Sequence, residues 1–76
     1  MAQKPKPYYQ ILRDCREDRD LSQREIAALL FVSQSVYSGY ERGVNALPIH
    51  SLIVLCKFYN LSSDYVLGLK REPRNL

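Results

Sequence analysis

Gln34, Ser35, Ser38 and Gly39 recur at i, i+1, i+4 and i+5, and each is small or carries an amide. On a helix this spacing gathers them on one side as a narrow, uncharged, hydrogen-bonding ridge that would add nothing to an apolar core. A ridge of that width can enter the major groove of duplex DNA, where the Gln34 amide matches the donor and acceptor on adenine. An ordinary solvated helix face uses the same residue types, so the elements holding the ridge must decide between the two.

Those elements lie between Leu21 and Gly43. Ser22-Gln23-Arg24-Glu25 is a capping box: the Ser22 hydroxyl can take the Glu25 N–H while the Glu25 side chain reaches back to the Ser22 N–H, so a helix starts at Ser22. Ile26, Ala27, Leu29 and Leu30 form its apolar stripe, and Ala27 is small enough for another helix to approach. Ser33 is a second N-cap, followed by a helix from Gln34 to Arg42 with Tyr37, Tyr40 and Val36 on the side away from the ridge. Gly43 suits the left-handed position that closes a helix.

Around this pair the chain supplies scaffold. Tyr8 to about Asp18 reads as a first helix with Tyr8, Ile11, Leu12 and Cys15 inward. Pro48 opens a helix over Ile49–Tyr59 whose Ile49, Leu52, Ile53, Cys56 and Tyr59 make a broad apolar face. Asn60 can end it, and Ser62 or Ser63 caps a last short helix through Tyr65, Val66 and Leu67.

Leu21-Ser22-Gln23, Glu25-Ile26-Ala27, Val32-Ser33-Gln34-Ser35, Tyr37-Ser38, Tyr40-Glu41-Arg42-Gly43 and Pro48 together resemble the phage-repressor/Cro class of helix-turn-helix proteins, from about Leu12 to Leu69. The resemblance implies an all-α bundle of five short helices in which the second and third read DNA. It places Gln34, Ser35, Ser38 and Gly39 toward base edges and Gln23, Ser33, Arg42 and Asn45 toward phosphates. It also implies an ion pair between Arg16 and Glu41, joining the first helix to the end of the third, and a homodimer on a palindromic operator.

The sequence departs from the class at two of these positions. Phe31 stands where many relatives carry glycine, so the turn is expected either to go left-handed with the ring buried in compensation, or to be slightly wider. Gly39 stands where a long polar side chain is usual, which removes a contact but leaves bare backbone for closer approach to DNA.

Seventy-six residues make one domain. We read 1–7 as an extended basic arm with Lys4 and Lys6 on phosphates, 8–69 as the folded domain and 70–76 as a basic tail. The net charge of +3 resides in the two ends, so the central helices are expected to bind DNA with a shallow salt dependence. No apolar run approaches the roughly 20 residues of a membrane span and no signal peptide is visible, which points to the cytoplasm. Cys15 and Cys56 read as reduced core residues and His50 as a surface histidine, without metal-ligand spacing. No cofactor, metal or small-molecule ligand is expected, and scattered serines with one histidine supply no catalytic constellation. The alternative to a DNA reader is an antitoxin or anti-repressor type of module that holds another protein, suggested by the neutral helix pair, Gly39 and the apolar 44–47 loop.

Overall fold

The computed structural model describes residues 6–69, so Lys4, the rest of residues 1–5 and the 70–76 tail lie outside it. Its elements are α1 (Tyr8–Asp18), α2 (Gln23–Leu29), α3 (Gln34–Glu41), α4 (Ile49–Tyr59) and α5 (Ser63–Val66), an all-α architecture. No helix among the described residues is long and apolar enough to cross a membrane.

Local sequence sets both ends of the helices. Ser22 Oγ accepts from Glu25 N while Glu25 Oε1 accepts from Ser22 N, each at 3.0 Å. Ser33 and Ser62 cap α3 and α5 through single bonds from Val36 N and Tyr65 N. Pro7 and Pro48 precede α1 and α4 in extended conformation.

All five helices stop in the same way. The backbone turns left-handed at Asp20, Phe31, Gly43, Asn60 and Gly68. At each stop two N–H groups fold back onto the last turn, as where Phe31 N reaches Ala28 O at 3.2 Å and Val32 N reaches Ala27 O at 3.0 Å. Phe31 is the bulky outlier among these residues. Its backbone is left-handed (φ 58) but its side chain is 95% exposed, so burial does not offset the strain as the sequence suggested.

Ile11, Leu12, Ile26, Ala27, Leu30, Tyr37, Leu52, Leu55, Cys56, Tyr59, Leu61 and Val66 form one core, with Tyr8, Cys15, Tyr40 and Leu47 against it. Several apolar residues assigned inward face out. Ile49 and Ile53 are 74% and 46% exposed because α4 turns Leu52, Leu55, Cys56 and Tyr59 to the core instead. Val36 is also exposed rather than packed with Tyr37. At the end of the domain Val66 is buried while Leu67 and Leu69 are exposed. Both thiols are free, and burial pushes each pKa up, which disfavours the reactive thiolate.

Candidate nucleic-acid interface

The base of the candidate site is a single carboxylate. Glu41, the last residue of α3, is 5% exposed and takes hydrogen bonds from three helices. Arg16 on α1 grips it side-on, Nε to Oε2 at 2.6 Å and Nη2 to Oε1 at 3.0 Å. Gln23 on α2 donates from Nε2 to Oε1 at 3.0 Å, and the Tyr37 hydroxyl donates to Oε2 at 2.5 Å. Arg16 also ties down the approach to α2, with Nη1 to Leu21 O at 2.7 Å.

These donors decide the protonation state. Burial alone would raise the Glu41 pKa, but the hydrogen bonds from Arg16, Tyr37 and Gln23 outweigh it and hold the carboxyl below its usual range. Tyr37 moves the opposite way: burial, then the bond to Glu41, push its pKa up and keep it a neutral donor. Edge-on packing of the Tyr37 and Tyr40 rings, 6.3 Å between centroids, completes the inner side of α3.

With that side anchored, α3 turns the opposite one to solvent. Gln34 and Ser35 are exposed, and Ser38 is half-buried, its Oγ accepting from Arg42 Nε at 3.3 Å. The structure thus brings Gln34, Ser35, Ser38 and the exposed Arg42 onto one outward surface that begins at the Ser33 cap.

At three of the assigned residues the structure shows contacts within the protein. Gly39 is buried, not bare: the Asn45 side chain lies on it, and a Cβ at residue 39 would overlap Asn45 Nδ2 and stand 2.9 Å from its Cγ. Gln23, expected on a phosphate, spends an amide N–H on Glu41 because the buried carboxylate needs more than one donor. Lys6, expected on a phosphate within a free arm, has Nζ 2.8 Å from Asp14 Oδ2, a partner eight residues on that no local pattern announces. Sequence reasoning also missed the Tyr37 hydroxyl as a ligand of Glu41. The i, i+4 spacing of the two was the available signal.

A helix-turn-helix family model matches residues 12–66. Over 66 residues the chain is 35% identical to an uncharacterized HTH-type transcriptional regulator, YobD, of Bacillus subtilis (strain 168), covering 87% of this chain and 59% of that protein. It is 36% identical over 50 residues to the cryptic phage CTXphi transcriptional repressor RstR of Vibrio cholerae, covering 66% of this chain and 45% of that one. With the HTH-type transcriptional regulator ImmR of Bacillus subtilis (strain 168) it shares 33% identity over 57 residues, 75% of this chain and 45% of the other. The chain spans about half the length of these relatives. The NMR structure of the DNA-binding domain of the P22 C2 repressor has the same fold, with a TM-score of 0.74 at 22% identity, covering 92% of this chain and 95% of that one. From the matched residues and the helix pair they build, the chain belongs to the helix-turn-helix family, of the Cro/C1 repressor type.

Proposed function

We propose that this chain is the sequence-specific DNA-binding part of a transcriptional regulator, a repressor in the first instance, which inserts α3 into the major groove. The observation that carries this reading is the uncharged outward face of Gln34, Ser35 and Ser38, set on a helix whose inner side is locked through Tyr37 and Glu41. An amide and hydroxyls on a rigid helix are suited to reading base edges, whereas the phosphates need cations or exposed N–H groups. In this reading the exposed Arg42 and the Ser33 end of α3 supply the latter, with Lys4 added from outside the described residues. Relatives named as transcriptional regulators and a phage repressor support the same reading, and a DNA-binding regulator is not an enzyme.

Such a domain acts wherever the DNA is, which in a bacterial cell is the cytoplasm. It works as a homodimer on a two-fold operator, with its two reading helices about 34 Å apart. Selection of bound sequences from a random duplex pool tests this: a two-fold symmetric site is expected, and Gln34→Ala should relax one position in each half. Selection of no site by the intact chain would overturn the reading.

The fully exposed Phe31 ring and the 68% exposed Val44 favour a second reading, a module that holds another protein. A salt titration separates the two, since DNA binding weakens with salt and an apolar protein contact does not.

A further inference from the structure

A cleft of about 360 Å³ opens where α1 meets the start of α5, lined by Ile11, Asp14 and Asp18 of α1 and by Leu61 and Tyr65. Ile11 and Leu61 are buried while Asp18 is exposed, so the cleft has apolar depth and an acidic edge. One cation already sits at that edge: Lys6 lines the cleft, and its Nζ lies 2.8 Å from Asp14 Oδ2. Asp14 also accepts from Gln10 Nε2 at 2.9 Å. Asp18, one turn further on, has no hydrogen-bond or ion-pair partner for its carboxylate among the described residues. It is the last residue of α1, at the negative end of the helix dipole, where a carboxylate is unfavourable unless a cation joins it. The backbone of the other wall is set for an extended chain. Leu61 is held in a β-bridge, the one such position among the described residues, and a backbone paired in that way takes an extended partner beside it.

An occupant that fits is therefore extended and basic, with a cation for Asp18. Residues 1–5 lead directly into Lys6 and meet these conditions. Lys4 and Lys6 each precede a proline, which biases both to extended backbone. Two residues apart in a strand-like chain, they fall on one side about 6–7 Å apart, against about 6 Å for Asp14 and Asp18 along α1.

We propose that the arm of residues 1–5 docks back into this cleft as an extended strand beside Leu61, with Lys4 paired to Asp18 as Lys6 is to Asp14. The contact belongs to the free protein and does not depend on what α3 reads. Its consequence rests on the DNA-binding reading: Lys4 reaches a phosphate only by leaving Asp18, so the cleft holds back part of the chain's affinity for DNA.

NMR of the intact chain without DNA tests the docking. Nuclear Overhauser contacts are expected from residues 2–5 to Leu61 and to the Tyr65 ring, and those of Lys4 should weaken in Asp18→Asn with the rest of the fold unchanged. No contact from residues 1–5 would overturn the proposal. Contacts from 70–76 in their place would assign the cleft to the other basic segment and also overturn it.

A binding measurement reads the consequence. Affinity for a random-sequence duplex at low salt should rise about twofold to fivefold in Asp18→Asn, as one exposed ion pair ceases to compete. In a Lys4→Gln background the same substitution should leave the affinity unchanged. An equal rise in both backgrounds would mean that Asp18 merely repels phosphate, and would overturn the competition. Failure of the intact chain to bind duplex at all, with the NMR contacts in place, sinks the DNA reading and leaves the docked arm standing.

Discussion

Arg16 and Glu41 meet as a two-pronged pair across the α1–α3 contact, with side chains only 11% and 3% exposed. Removing one partner strands the other charge away from water, so Glu41→Ala or Arg16→Ala should each cost about 3–5 kcal/mol. In a domain of this size each kcal/mol lowers the melting temperature by about 4–8 °C. Thermal denaturation measures it, and unchanged melting in both variants would refute the role given to the pair.

Stability should fall at both ends of the pH scale. Glu41 has an ordinary value of 4.5 and is held lower when folded, so its contribution is whole above 4.5 and is lost as pH drops through the folded value. The hydrogen bond from Lys6 lowers Asp14 from 3.8 in the same sense. At the alkaline end burial pushes Tyr59 from 10 up to about 12, and Tyr37 is raised too. Their neutral forms favour the fold fully below pH 10, and that advantage disappears as pH rises toward 12. Urea unfolding across this range should show a plateau between about pH 5 and 10. Constant stability from pH 10 to 12 would contradict the burial of the two phenols.

Phe31→Gly should stabilise the domain. The left-handed backbone costs a residue with a side chain about 1–2 kcal/mol, and the exposed ring gives nothing back by burial. Glycine loses about 0.5–1 kcal/mol of this gain to chain entropy, leaving a rise in melting temperature of a few degrees, roughly. A fall on calorimetry would show that the ring is covered in solution.

Arg42→Gln should flatten the salt dependence of DNA binding by about one unit in the log–log slope while leaving the selected site unchanged. An identical slope in the variant would mean that the Arg42 charge faces no phosphate.

The pattern of helices could be read from single residues because short-range bonds set their ends: Ser22 with Glu25, Ser33 with Val36, and the left-handed Gly43 and Asn60. The inward tyrosine at 37 follows equally from helical period. What could not be read depends on segments meeting in space. Asn45 covers Gly39 only because the loop doubles back, and Gln23 turns to Glu41 only because a third helix buries a carboxylate beside it. On α4 the apolar residues run most of the way round, so periodicity alone could not say that Ile49 and Ile53 would be left outside.

The Glu41 carboxylate has a further consequence for how the helix pair moves. α2 is seven residues long and α3 eight, below the ~12–15 at which an isolated helix holds its shape in water. Since α1, α2 and α3 all place donors on that one group, neither short helix can fray without releasing the other. Their amide protons should therefore trade with deuterium in one shared opening event, and a synthetic peptide spanning 34–42 should be coil.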